Sequence, residues 1–426
     1  LDNERVRKWE RYYSERPDYV QRMTERGGRY LFHIMEEIDK RELPSELALL
    51  PFIESAFNPE AMSRARASGM WQFMPATGRH FDLTQNVFRD DRRDVLASTR
   101  AALDYLTRLH GMFGDWHLAL AAYNWGEGNV QRALRDNQRA GRGRSYESLR
   151  MPHETRDYVP KLQAVKNIVA DPERFGLALP KLENHPYFLS VPIARDIDVE
   201  LAARLAALPI DEFRALNPQM NKPVILAAGT PQVLLPYDNA NAFVKAIGEH
   251  KGRLAQWTAW VAPRTMKTAE VAREVGMSEA ELLDVNDIPP RMLVRAGSTL
   301  VVPRSSQRHT DVSERMAENA TIVLAHEGGG LRRVALRVGK RGDSVAAVAK
   351  RHGVSATQVA QWNNLAPDAR LRPGSTVVVY VPQRPAAKGV SKVSTSSKPA
   401  SKAVAGKTRS AAKSSRSSPS AAKVRR

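Results

Sequence analysis

Apolar positions in the first part of the chain recur at helical spacing. From Asp94 to Leu109, Val95, Thr99, Ala102, Leu103, Leu106 and Leu109 fall on one face, the three-to-four periodicity of an amphipathic helix. Pro75 suits the first turn of a helix running through Gly78–Phe81, where proline's fixed φ and missing N–H cost little. Trp116–Trp125 and Glu154–Ala170 read as further helices, the second kinked by Pro160. Helices joined by Gly-rich turns, with little β-branched alternation, predict a compact, mainly α domain over residues 1–180.

From about residue 186 the pattern changes, and the sequence repeats itself. Val271, Gly276, Ser278, Asn286, Gly297, Ser298, Thr299 and Val301 match Val348, Gly353, Ser355, Asn363, Gly374, Ser375, Thr376 and Val378 at one constant offset of 77. A weaker copy, with Asn217 as the shared Asn, precedes them. In the last copy Arg333–Val338 alternates as a strand and Asp343 or Ser344 caps a helix ending at Gly353. Ser355 then caps a second helix reaching Asn363, Pro373-Gly374 turns, and Thr376–Val381 returns as a strand. The expectation is an α+β multidomain chain with small βααβ modules at 186–236, 257–303 and 331–382. Segments 237–256 and 304–330, the latter with Gly328-Gly329-Gly330, read as linkers. Small modules strung on linkers supply avidity.

At 426 residues the chain has room for two to four domains, and 42% hydrophobic residues suffice for real cores. It has no run of apolar residues long enough to span a membrane. The charged opening LDNERVRKWE has neither a signal peptide nor an initiator Met, which reads as a removed targeting segment or a truncation. The absence of Cys excludes disulfide scaffolds, Cys-ligated metal and thiol nucleophiles. The ten His residues form no HxH or HExxH arrangement, so neither a metal nor any other cofactor is expected. The net charge of +19 is mostly a tail: residues 384–426 hold 12 Lys and Arg and no acid, leaving 19 − 12 = +7 for the rest. That tail lacks aromatic, Leu, Ile and Met residues and is expected to be disordered. As a polycation it suits any anionic surface, so it gives no reason to expect a specific nucleic acid.

Chemistry concentrates in four segments. Glu54 lies among Leu49, Leu50, Phe52, Ile53, Ala56 and Phe57. On a continuing helix Leu50 and Phe57 would flank it at i−4 and i+3. An apolar setting raises a carboxyl's pKa, which suits a general acid; the plain alternative is an exposed Glu on an amphipathic helix. Gly69-Met70-Trp71-Gln72-Phe73-Met74-Pro75 offers aromatic faces and an amide suited to a sugar ring, or simply core. Asn124 in Ala121-Ala122-Tyr123-Asn124-Trp125-Gly126 is a groove residue or a helix C-cap, and Glu154-Thr155-Arg156-Asp157-Tyr158-Val159 is otherwise ordinary helix surface.

Taken together and in this order, the segments resemble the soluble lytic transglycosylases with a goose-lysozyme-like fold, over roughly residues 25–175. The G-M-W-Q-F-M-P form is most similar to the membrane-bound D-type members. The modules resemble LysM domains through Gly342-Asp343-Ser344, the Gly-Val-Ser hinge, Asn363 and L-R-P-G. The second module departs with Thr265-Met266-Lys267, and the first lacks the Gly before its second helix. The resemblance implies that Glu54 is the single catalytic acid and base, with Ser55 beside it. It implies Gly69, Met70 and Gln72 in the substrate groove, Tyr123 and Asn124 on the N-acetylated sugar, and Tyr158 facing the acid. The implied reaction cleaves the β-1,4 bond between N-acetylmuramic acid and N-acetylglucosamine and leaves a 1,6-anhydro end. The implied partners are peptidoglycan strands, bound also by the modules, and an anionic envelope surface met by the tail. The implied location is the periplasm or envelope; the lipid-bearing Cys of D-type relatives is absent from this sequence. The competing expectations are a hydrolytic muramidase, which needs a second carboxylate, a non-catalytic wall-binding protein, and nucleic-acid binding by the tail.

Overall fold

The computed structural model describes residues 2–326, 331–339, 342–363 and 365–382. The expected disordered tail at 384–426 and the triple glycine at 328–330 lie outside the described residues.

Eight helices build the first body: α1 (Glu4–Ser14), α2 (Pro17–Asp39), α3 (Leu50–Ser55), α4 (Pro75–His80), α5 (Val95–Phe113), α6 (Trp116–Trp125), α7 (Glu127–Arg139) and α8 (His153–Ala170). Local signals set their ends. The Asp94 carboxylate accepts the N–H of Ala97, Asp115 does the same for Leu118, and Gly114 closes α5 in the left-handed region. α2 buries Val20, Met23, Tyr30, Ile34 and Ile38 along one stripe. The whole expected apolar face of α5, Val95 to Leu109, is buried in the same core. Pro160 sits inside α8, which continues past it to Ala170.

Three modules follow with one topology. The first pairs β1 (Phe188–Pro192) antiparallel to the strand that closes it. Between them run β2 (Ile197–Asp198), α9 (Val199–Leu205), α10 (Ile210–Leu216) and β3 (Val224–Ile225), before the closing β4 (Gln232–Pro236) and a further α11 (Tyr237–Glu249). The second runs β5 (Trp257–Val261), β6 (Met266–Lys267), α12 (Thr268–Val275), α13 (Glu279–Val285), β7 (Met292–Val294) and β8 (Thr299–Pro303). It continues as α14 (Glu314–Asn319) and β9 (Leu324–His326), which adds to the edge of β7. The third has β10 (Leu331–Arg337), β11 (Asp343–Ser344), α15 (Val345–His352), α16 (Ala356–Asn363), β12 (Arg370–Leu371) and β13 (Thr376–Pro382).

The repeated Asn has one structural task. Asn363 donates from Nδ2 to the carbonyls of Val359 and Val378 at 2.8 and 2.7 Å, and its Oδ1 accepts the Val378 N–H at 2.8 Å. Asn286 makes the same three bonds to Leu282 and Val301, and Asn217 to Phe213 and Leu234. Each side chain thus pins the end of the second helix to the closing strand. The first module is a true copy even where its sequence drifts. Gly276 and Gly353 end their helices at φ +79° and +65°, and Ala207 takes the equivalent left-handed position at φ +51°. In all three the next N–H reaches back to the helix, from Leu208 to Ala203, Met277 to Ala272 and Val354 to Ala349.

The linker expectation does not hold. Residues 237–249 form α11, which buries Ala240 and Phe243 in the first module's core. Residues 312–320 bury Val312, Ala317 and Ala320 in a cluster with Phe88 of the first body, Val224 and Leu226 of the first module and Val301 of the second. Phe188, Leu216 and Leu234 of the first module lie in the helical body's own core. The two modules are therefore packed against the helical body, because the small apolar side chains of these segments bury surface between the larger elements.

Candidate active site

The expected helix around Glu54 is cut short. α3 begins with Pro51 in its first turn and stops at Ser55, since Ala56 and Phe57 both turn left-handed at φ +52° and +55°. Phe57 is thereby sent into the core rather than one turn along from Glu54. It meets Phe52 edge-on at 4.6 Å and stacks with Tyr30 at 6.5 Å. Gly27 makes room for it, as a Cβ there would come within 3.0 Å of its ring. The turn leaves Glu54 half-buried at the end of a one-and-a-half-turn helix.

Tyr158 of α8 donates its hydroxyl to Glu54 Oε1 at 2.5 Å. Burial raises the Glu54 carboxyl to about 7, and the negative charge of Glu154 adds to this; the Tyr158 hydrogen bond and the Lys161 charge oppose it without cancelling it. Burial, with the nearby Glu54 charge, also holds Tyr158 and Tyr123 well above the usual phenol range, so both remain donors. Near neutral pH the site therefore holds a protonated acid braced by a phenol.

The segment following α3 is a small, tightly folded hairpin. Ser68 pairs with Met62 and with Phe73. Gly69 adopts φ +85° where a Cβ would come within 2.0 Å of the Arg92 carbonyl oxygen, so no other residue fits. Gln72, also left-handed at φ +51°, donates from Nε2 to the Gly69 carbonyl at 2.8 Å. Two side chains grip successive carbonyls of this segment: Ser55 Oγ donates to Met70 at 2.9 Å and Tyr123 Oη to Trp71 at 2.8 Å. Asn124 accepts at Oδ1 from Thr155 Oγ1 at 2.8 Å, and its amide N–H₂ makes no hydrogen bond among the described residues. It is not a C-cap, because α6 runs on to Trp125 and Gly126 caps it.

Glu54, Ser55, Gly69, Met70, Gln72, Tyr123 and Tyr158 are thus drawn into one linked set, and Thr155 ties Asn124 to the same helix as Tyr158. The faces of Trp71 and Phe73 are not available to a sugar, which decides for core between the two readings of these aromatics. Trp71 is fully buried with its indole N–H on Thr99, Phe73 is buried as well, and Met70 is equally closed to solvent, leaving its main-chain carbonyl as the part that Ser55 reaches. Two charges at the acid, Glu154 and Lys161, went unread in the sequence. Their spacing from Tyr158, four residues before and three after, places all three on one helix face and was a usable signal. Among the described residues no cluster of His, Asp or Glu could hold a metal ion, and no helix is long and apolar enough to cross a membrane.

A half-buried carboxyl braced by a phenol on a helical body, joined to repeated βααβ modules, belongs to a glycan-cleaving enzyme with appended glycan-binding modules, as the comparisons with known proteins show. Residues 33–144 match the transglycosylase SLT domain, 187–250 the LysM-like domain of lytic transglycosylase MltD, and 269–303 and 340–379 the LysM domain. The chain is 32% identical to membrane-bound lytic murein transglycosylase D of Escherichia coli K12 over 89% of its own length and 82% of the relative's. The same figures hold for the protein of that name from E. coli O6:H1. An inactive mutant of the lytic transglycosylase Slt from Pseudomonas aeruginosa is 27% identical, over 35% of this chain and 24% of that one, with a TM-score of 0.27. The chain belongs to the family of membrane-bound lytic murein transglycosylase D. It is a lyase of peptidoglycan, with LysM modules for glycan binding.

Proposed function

We propose that Glu54 is the single general acid and base of this reaction. Held protonated near neutrality, it donates its proton to the oxygen linking N-acetylmuramic acid to N-acetylglucosamine, and the C1–O bond breaks. The substrate's own 2-acetamido group stabilises the positive centre at C1, held by the free amide of Asn124 and the oxygen of Tyr123, whose proton is already given to Trp71. Substrate assistance of this kind removes the need for a second carboxylate. Glu54, now ionised with the Tyr158 hydroxyl on Oε1, takes the proton of the sugar's C6 hydroxyl, and that oxygen closes on C1. A 1,6-anhydro end forms, no water is consumed, and Glu54 is protonated again. Ser55, Gly69, Met70 and Gln72 shape the groove, the first by hydrogen bonding and the others largely through the hairpin main chain. The observation that carries the reading is the Tyr158–Glu54 hydrogen bond on a carboxyl raised to about 7.

We divide the chain into a catalytic domain at 1–180, modules at 186–236, 257–303 and 331–382, and a basic segment at 384–426 that meets an anionic envelope surface. Murein lies outside the cytoplasm, so the protein works in the periplasm or envelope. Digestion of purified murein followed by mass spectrometry tests the chemistry. Products one water lighter than hydrolysed ends support it. Free reducing ends would make the enzyme a muramidase and direct the search for a second carboxylate first to Glu154.

A further inference from the structure

The hairpin that floors the groove is tied to the modules by one loop of the helical body, residues 84–93. On its inner side the buried Arg92 bonds Asp90 twice, through Nε at 2.9 Å and Nη2 at 2.7 Å. Its Nη1 reaches the carbonyls of Arg66 and Phe73, at 2.6 and 3.1 Å, the first in the turn before Ser68 and the second on the bridge partner of Ser68. The Arg92 carbonyl is also the atom against which Gly69 packs. Arg92 therefore fixes the hairpin that carries Met70 and Gln72.

On its outer side the same loop is held by both modules. The N–H of Asp90 donates to Gln219 at 2.9 Å, and that of Asn221 to Phe88 at 2.8 Å, so the loop pairs with the first module as a short antiparallel bridge. Asn86 Nδ2 reaches the carbonyl of Ala317 at 2.9 Å, and Arg89 Nη2 reaches Glu318 at 2.8 Å, both on the segment that follows the second module. Phe88 enters the cluster these modules share and is buried there. Asp90 joins the two sides: its N–H faces the first module and its carboxylate holds Arg92.

We propose that loop 84–93 is a strut through which the first two modules hold the groove floor in place, with Asp90 and Arg92 as positioning residues for the cleavage. These modules then contribute to turnover itself as well as to retention on the wall. The inference rests on the reading of the hairpin as the groove floor. Main-chain pairing, a buried aromatic and a bidentate ion pair make the strut stiff. A floor displaced by about 1 Å can cost a hundredfold in rate.

The test uses the full chain and two substrates, a soluble four-sugar fragment of GlcNAc–MurNAc repeats and intact sacculi. Phe88→Ala withdraws the plug from the modules without touching Glu54 or the hairpin. The expected result is a kcat on the four-sugar fragment about tenfold or more lower with KM changed little, sacculus binding retained, and most of the loss reversed in Phe88→Leu. Unchanged kcat on the short fragment, with loss confined to sacculi, would overturn the strut and make the modules tethers. If Phe88→Ala fails to fold, Asn86→Ala, which removes the Nδ2 bonds to the Ala317 and Glu318 carbonyls and the Oδ1 bonds from the Phe88 and Arg89 N–H groups, must lower kcat in the same direction, and no change would overturn the proposal. Glu54→Gln run beside them separates the two readings: full activity in that variant would refute the active site, not the strut.

Discussion

In the first module Asn217 pins β4 to α10, and Leu216 beside it is packed in the core of the catalytic body. In the third module Asn363 pins β13 to α16 by the same bonds, but its core, from Val338 to Val379, is made of that module alone. Among the described residues no hydrogen bond ties residues 331–382 to the chain before them. One supersecondary unit has thus been put to two uses. Built into the enzyme, it extends the catalytic body; left to itself, it remains a compact glycan-binding module. What separates the two is the set of side chains on the outer surface, not the fold.

The comparison can be broken in several ways. The largest effect belongs to the body that holds the chemistry: Glu54→Gln should lower murein turnover by on the order of a thousandfold, as removal of a general acid does. Sacculus pull-down should be unchanged in that variant, because retention lies elsewhere. Next in size, Asn217→Ala leaves the Leu234 N–H and carbonyl buried without their partners and should destabilise the fused body by about 3 kcal/mol. Asn363→Ala should instead lower only a separate transition of the third module, with turnover of short fragments untouched. Scanning calorimetry distinguishes them; a single shared transition responding equally to both would remove the distinction.

A comparable effect comes from the acid itself. The folded state binds the Glu54 proton up to about pH 7, whereas an unfolded Glu releases it near 4.5. Between those values the folded chain holds more protons, so stability falls as pH rises. At pH 8 Glu54→Gln should be more stable than the wild type by about 3 kcal/mol, with the gap closing at pH 4. The same group makes kcat/KM decline as pH passes upward through about 7, and a flat profile from 5 to 9 would contradict its role as acid. The smallest effect tests the drifted copy. Ala207 sits left-handed at φ +51° where the other modules have Gly. Ala207→Gly should raise stability by up to about 1 kcal/mol, and Gly353→Ala should lower that of the third module by a similar amount.

Much of this was legible in the sequence because backbone geometry had forced particular residues. The repeat stood out through Asn286 and Asn363, Gly276 and Gly353, and Ser278 and Ser355, each fixed by a hydrogen bond or a left-handed turn. The helix over 237–249 was missed as a linker, although Ala240, Phe243 and Ile247 share a face. The joint between body and modules was not legible. It is made of main-chain pairing and of small residues such as Ala317 and Ala320, whose burial no periodicity announces. Nor does residue type separate an aromatic that meets sugar from one that fills a core. Trp71 was open between the two for that reason, and the turn at Ala56 escaped notice because no Gly marks it.

The three pinning asparagines also differ in how they age. Asparagine decays when the backbone nitrogen of the following residue attacks its side chain, and the resulting carboxylate could not donate to the carbonyls that the amide now serves. Asn286 is followed by Asp287 and Asn363 by Asn364, so both carry the N–H that this decay requires. Asn217 is followed by Pro218, whose nitrogen carries no hydrogen and cannot take part. The pin on which the catalytic body depends is thereby chemically the most durable of the three, while the third module, whose core is made of its own residues, is held by one that can decay.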